Sequence, residues 1–305
     1  MGRWIRQFGK RAGFTIVELL TVMSVIIILI GLLVPALNMV KKVAKKVTQK
    51  NQFHAIEVAM ETFNAEWDGY PPSDGWDYVA DVPLDRGGAQ TLAEAMVGQD
   101  LLGFDPRSDF SWGNPIYSNP DLSGRRLYLK AGGANAFRLG GFYSDQRLQP
   151  FHADQLVLCD MYKTNWTYNN SSNPGDPMNG QPVGMPILYY QAHTSGVTHP
   201  TYREDPASGQ LVSVNGVPID AVTNIYNYRD NHTFVSLGKP WVGGWPANED
   251  SHHDMGDPEV FYHKTWNQAV DIADGRPYNT DSYILISAGF DGEYGTDDDV
   301  FNFGL

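Results

Sequence analysis

Cysteine is almost absent from this chain: Cys159 is the only one in 305 residues. No disulfide can form within the chain, so an exported head relies on its core, or on a bound metal, for stability. The stretch "QLVLCD" around Cys159 reads as a strand with the thiol buried in it. Basic residues are scarce beyond position 50. The first 50 residues hold nine Lys/Arg and one acid, Glu18; the remaining 255 hold 13 basic and 34 acidic residues, a balance of −21. A surface of that sign repels nucleic acid and anionic membranes and attracts cations, so DNA or RNA partners are not expected. Catalytic signatures are missing too. There is no Gly-x-Ser-x-Gly elbow, phosphate loop, dinucleotide fingerprint or His-Glu-x-x-His pair. The chain is not expected to be an enzyme.

What is present starts with an apolar run. Leu19 to Val40 are 22 consecutive residues without a charge, where about 20 span a bilayer as a helix. Arg3, Arg6, Lys10 and Arg11 precede the run, and Lys41, Lys42, Lys45 and Lys46 follow it. The N-terminal cluster comes first and is expected to stay cytoplasmic. A conventional secretory signal places its small-residue cleavage site after the apolar region. Here the small pair Ala12-Gly13 comes before it. Cleavage after Gly13 removes only the basic leader and leaves the helix on the mature chain.

The order of leader, glycine and apolar run in "GFTIVELL", from Gly13 to Leu20, resembles the class III signal of type IV pilins and type II secretion pseudopilins. The resemblance implies a membrane peptidase that cuts after Gly13 and methylates the new N-terminus, Phe14. It also implies a filament in which Glu18 pairs with the amine of a neighbouring subunit. A lone charge inside a bilayer costs roughly 2.5–3.5 kcal/mol on insertion scales, which such a partner offsets. Read without the resemblance, Glu18 can also lie at the interface and snorkel. Pro35 and Gly31 fall inside the run, where proline removes a backbone hydrogen bond and kinks or locally melts a helix. Pilin-like proteins commonly carry a helix breaker in this stretch.

The helix is expected to continue past the membrane. Phe53, Ile56, Met60, Phe63 and Trp67 recur at spacings of 3 and 4, an apolar stripe on one face. "DGYPPS" (Asp68 to Ser73) stops it. A helix from Phe14 to Trp67 extends roughly 80 Å. The expected organisation is a leader over 1–13, a helix over 14–67 that is transmembrane over about 14–40, and a globular head over 68–305.

Gly (31) and Pro (19) are plentiful, so the head is expected to be rich in loops and short strands. "AQTLAEAMVGQDLLG" (Ala89–Gly103) and "DPEVFYHKTWNQAVD" (Asp257–Asp271) read as helices, the second with Asp257 as N-cap and Pro258 at the first position. Strands are expected at Leu127–Lys130, Gln155–Cys159, Ile187–Ala192, Leu211–Val214, Thr233–Leu237 and Tyr283–Ser287. Asn215-Gly216, between "LVSV" and "VPI", predicts a hairpin turn. Long loops are expected over 104–126, 163–186 and 238–256. "SHHDMGD" gathers His252, His253, Asp254 and Asp257 without a metal-ligand spacing, while His193, His199 and His263 are scattered.

The tail "ISAGFDGEYGTDDDVFNFG" (Ile286 to Gly304) carries Asp291, Asp297, Asp298 and Asp299 among Gly289, Gly292 and Gly295. Oxygen donors on a loop of tight turns suit Ca²⁺, and the spacing alone equally fits a solvated acidic turn. The EF-hand pattern is absent. The tail is similar to the C-terminal calcium loop of major type II secretion pseudopilins. By that resemblance Asp291 and Asp298 are the leading Ca²⁺ ligands, followed by Asp299 and Asp297, with backbone carbonyls completing the shell.

The fold expected is α+β: a long N-terminal helix packed on a small antiparallel sheet, with a large loop-rich insertion. The resemblance implies a single-pass protein of the bacterial inner membrane with its head in the periplasm. Its implied partners are membrane lipid before assembly, copies of itself, the prepilin peptidase, other pseudopilins and an inner-membrane assembly platform. Its work would be to polymerise and drive protein export. A surface type IV pilus subunit, or an anchored adhesin that does not polymerise, are the alternatives. About 54 residues at the N-terminus and some 20 at the C-terminus carry the resemblance, and the head between them is larger than in major pseudopilins.

Overall fold

The computed structural model describes residues 15–118, 121–163, 166–171, 173–241 and 252–304. It is an α+β protein, as the sequence predicts. Helix α1 (Ile16–Trp67) runs unbroken for 52 residues, through both Gly31 and Pro35. The chain divides within it, into a unit ending at Ala44 and a head from Lys45 to Leu305.

In the first unit every large apolar side chain from Ile16 to Val43 is exposed. In the head the same helix behaves differently. Phe53, Ile56, Met60 and Phe63 are at most 4% exposed, because the 3-and-4 spacing brings them onto one face. Trp67, at the end of the stripe, is 39% exposed. Its ring lies against Phe63 and Phe104, and its Nε1 donates to the Tyr128 hydroxyl at 2.7 Å. Polar side chains one turn apart tie α1 to the segment after Cys159. Gln52 Nε2 donates to Cys159 O at 2.9 Å, Gln49 Oε1 accepts from Met161 N at 2.8 Å, and Lys45 Nζ donates to Tyr162 O at 2.5 Å.

The remaining helices of the head are α2 (Gly88–Val97), the single turns α3 (Ala131–Ala134) and α4 (Asp145–Leu148), α5 (Arg229–Val235) and α6 (Pro258–Thr265). The strands are short and antiparallel. β1 (Trp76–Asp77) pairs with β2 (Val82–Pro83), β3 (Ala136–Arg138) with β4 (Leu156–Leu158), and β5 (Trp166–Thr167) with β6 (Pro182–Val183). β7 (Leu188–Gln191) belongs to the central sheet. β8 (Tyr202–Glu204) pairs with β9 (Leu211–Ser213). The central sheet is completed by β10 (Tyr283–Ser287) and β11 (Val300–Phe301), in the order β11-β10-β7.

That sheet is buried on both faces, which is why β10 reads as an uninterrupted apolar run, "YILIS". Tyr283 and Leu285, with Tyr189 on β7, join the core formed by α1 and by Leu92 and Met96 of α2. Ile284 and Ile286, with Leu188 and Tyr190, join a second core containing Phe234 of α5 and Phe261 and Tyr262 of α6. Successive residues point to opposite faces of a strand, so one strand serves both cores.

Several expectations are corrected. Thr233–Leu237 is not a strand: its first half ends helix α5, and Ser236 N and Leu237 N continue the turn by donating to His232 O and Phe234 O. Leu127–Lys130 is not a strand either, because the amides of Tyr128 and Leu129 donate to Met96 O near the end of α2. Helix α2 stops before Gly98, which lies at φ 75°, rather than running on to Gly103. Helix α6 begins as predicted, with Asp257 accepting from Glu259 N at 2.9 Å, but ends at Thr265 where Trp266 turns extended. The Asn215-Gly216 hairpin does not form. β9 pairs back to β8 instead, since Pro218 has no N–H to offer a ladder and Asn215 is committed to Thr201 N and His199 O.

Candidate functional site

Two stretches carry the predicted site residues, and they lie in different units. Gly13 and Phe14, the expected cleavage and methylation positions, fall outside the described residues. Glu18 is in the first turn of α1. Its Oε2 accepts from Thr15 N at 2.9 Å and Thr15 Oγ1 at 2.7 Å, while Glu18 N donates back to Thr15 Oγ1 at 3.3 Å. This is a reciprocal capping box, which satisfies amides that the first turn of a helix otherwise leaves open. The Thr-x-x-Glu spacing in "TIVE" is its local sequence signal. Pro35 interrupts nothing: helical geometry is continuous on both sides.

The acidic tail folds as a tight loop between β10 and β11. Asp298 is its hub. Oδ2 accepts from Phe290 N at 2.5 Å and Asp291 N at 3.1 Å, and Oδ1 accepts from Thr296 Oγ1 at 2.8 Å. Gly289 lies at φ 68°, and a Cβ there would stand 2.3 Å from Asp298 O, so only glycine lets the backbone pass. Asp291 Oδ1 accepts from Glu293 N at 2.8 Å.

Electrostatics separate these carboxyls. Burial raises Asp291, and the neighbouring Asp298 carboxylate adds to the rise. Asp298 is also penalised by burial, but the bonds from Thr296 and from the Asp291 and Phe290 amides outweigh it and hold Asp298 below the usual carboxylate range. Asp299 is 7% exposed. Its Oδ2 accepts from Gly295 N at 2.8 Å, while Oδ1 has no protein partner. Burial raises its carboxyl well above the usual range.

Asp297 stands apart. Its side chain is fully exposed and pairs with Lys264 Nζ at 3.1 Å, a surface ion pair outside the loop's interior. Of the acids expected to act together, Asp291 and Asp298 lie side by side and Asp297 is turned away from them. Asp291, Asp298 and Asp299 do not bring three ligand atoms within 4.8 Å of one another. A hard cation such as Ca²⁺ takes 6–8 oxygens, many of them carbonyls and water. The orphaned Asp299 Oδ1 is an open oxygen donor, but as they stand these three carboxyls are too far apart to share one ion.

Among the described residues the histidine loop brings no three metal ligands together. His253 is 3% exposed, accepts from Tyr294 N through Nδ1 at 3.3 Å and packs edge-on against the Tyr294 ring. Burial, helped by Lys239 and Arg147, holds its imidazole down to about 3, so it serves as a neutral acceptor. Asp257 is spent on the α6 cap. His199 is likewise buried and held at about 3 by burial, with Nε2 3.3 Å from Thr265 Oγ1. His263 Nδ1 lies 2.8 Å from Tyr202 O.

One group of three possible metal ligands does converge among the described residues, with no sequence spacing that points to it: Asp74, His193 and Asp230. Comparison with known proteins adds no assignment, since no family model matches the chain and neither a curated protein nor a solved structure is significantly similar to it.

Proposed function

We propose that the chain is a structural subunit of a type IV pilin-like filament, of the type II secretion pseudopilus class, which polymerises through the apolar half of α1 to drive protein export. The observation that carries this reading is the exposure of every large apolar side chain from Ile16 to Val43 on a continuous helix with a single carboxylate, Glu18, in its first turn. Unpartnered apolar surface of that extent needs lipid or other helices around it. With the Gly13-Phe14 junction just before it, the helix has what a processed, self-assembling subunit needs: bilayer first, neighbouring helices afterwards. The head is then held in the periplasm, on a single-pass anchor in the bacterial inner membrane.

Glu18 has two jobs to distinguish, since the capping box already occupies its carboxylate. Glu18→Gln tells them apart. Glutamine serves at this position of a capping box but carries no charge for the methylated amine of a neighbouring Phe14. The expected result is normal cleavage after Gly13 and loss of filament assembly. Filaments formed at the wild-type level by Glu18→Gln would overturn the pairing. The primary test is mass spectrometry of envelope and sheared surface fractions. The expected peptide begins at Phe14, carries one extra methyl and ends at Lys41, and in a pseudopilus it is found in the envelope. Its abundance in the sheared fraction would make the filament a surface pilus, and recovery of only the uncut leader would leave a simple anchor.

The C-terminal loop completes the proposal. Asp291, Asp298 and Asp299, with the loop's own carbonyls, would draw together around a Ca²⁺ ion that neutralises the crowded carboxylates and staples β11 to β10. The full chain in detergent should melt higher in calcium than in chelator, and an unchanged melting temperature would remove calcium from the proposal.

A further inference from the structure

We infer that Asp74, His193 and Asp230 form a divalent transition-metal site of the zinc class. The site is separate from the acidic tail and independent of the filament reading. One ligand atom from each residue lies within 4.8 Å of the other two. They come from distant parts of the chain: the turn after α1, the exit of β7 and the start of α5.

Asp230 carries the argument. It is 1% exposed, and its Oδ1 has no hydrogen-bond partner. Its other oxygen, Oδ2, accepts from Ser73 Oγ at 2.5 Å, and Ser73 Oγ in turn accepts from Gln191 N at 3.0 Å. A buried carboxylate with an open oxygen and a second carboxylate beside it is costly unless it takes up a proton or a cation joins them. Among the described residues no lysine or arginine pairs with either carboxylate. The adjacent guanidinium, Arg229, is engaged by Asp81 at 3.1 Å and Asp220 at 3.8 Å. The side chains of Asp74 and His193 make no hydrogen bond among the described residues, so their donor atoms are uncommitted.

The surroundings fix the geometry in advance. Asn231, next to Asp230, donates through Nδ2 to Tyr189 O at 2.7 Å and accepts from Ala89 N at 2.9 Å. A Cβ on Gly75 would stand 2.4 Å from Asp230 O, so the turn bearing Asp74 lies directly against the start of α5. Outer contacts of this kind orient ligands and sustain affinity.

Donor chemistry selects the ion. Ca²⁺ and Mg²⁺ prefer shells made wholly of oxygen, whereas one imidazole nitrogen with two carboxylate oxygens suits zinc and its neighbours. Three protein ligands leave a fourth tetrahedral position for water. Bound there, the ion would clamp three loops together at the sheet end beside α5.

The test is calorimetric titration of the full chain in detergent with Zn²⁺, after stripping with chelator and with calcium in excess. Wild type should bind one zinc per chain at this site. Asp74→Asn and His193→Gln should each weaken binding by more than the 10–100-fold typical of lost outer-shell contacts, and His252→Gln should leave it unchanged. Both test positions are partly exposed loop residues, so their variants are expected to fold, which circular dichroism checks. Absence of zinc binding in calcium, or wild-type affinity in either Asp74→Asn or His193→Gln, would overturn the site.

Discussion

Helix α1 places two solvents in one element. From Ile16 to Val43 its side chains are apolar on every face and all are exposed. From Lys45 to Trp67 the large apolar residues fall mostly on one stripe, buried from Phe53 to Phe63, while charged residues and the exposed Val47 and Val58 take the other faces. The backbone is the same α-helix throughout, so secondary structure does not explain the difference. Periodicity does: a helix apolar all round is matched to lipid or to other helices, and one apolar on a single stripe is matched to its own core. Length and pattern tell the two halves apart where propensity does not.

Substitution sharpens that contrast. Met60→Ala removes a fully buried side chain and should cost the head about 2–5 kcal/mol, read as a lower urea midpoint, while Leu29→Ala should leave that midpoint in place. Equal effects at the two positions would break the comparison. Ile28→Arg tests the other half. It should oppose membrane insertion by roughly 2.5–3.5 kcal/mol and shift the protein from membrane to soluble fractions, with the midpoint of the head unmoved. Asp257→Ala, which deletes the α6 cap, should cost about 1 kcal/mol.

A further effect concerns pH. Burial pushes Asp160 up to about 7 against an ordinary value of 3.8, although Tyr162 N and Ser287 Oγ bond to its oxygens. Between those values the folded chain holds a proton that the unfolded chain has released, so this contribution to stability is present at low pH and is lost as pH rises through about 7. Asp160→Asn should therefore compare better with wild type at pH 8 than at pH 5. The same gap at both would remove Asp160 as the cause.

What the sequence disclosed follows the range of each interaction. The stripe from Phe53 to Phe63 and the run "YILIS" were legible because periodicity is local and both are buried as it implies. "TFVSL" was misread because β-branched and aromatic residues favour strands only where a partner strand exists, and here the chain continues a helical turn. "LYLK" failed for a related reason: its amides cap α2. In the tail the identity of the acids was plain, but only the fold shows Asp298 turned inward and Asp297 outward to Lys264. The convergence of Asp74, His193 and Asp230 had no local signal, since each arrives from a different loop and is brought in by tertiary packing.

Cys159 has one more consequence. Its thiol is fully buried, and desolvation, with Asp160 adding to it, lifts its ionisation well above the ordinary value. Only the thiolate exchanges with disulfides or attacks alkylating reagents, so the folded head is chemically silent. A chain with one silent thiol needs no oxidative catalyst to mature and has no wrong pairing to undo. It also carries its own clock, because any alkylation at Cys159 records a moment when strand β4 and its neighbours came open.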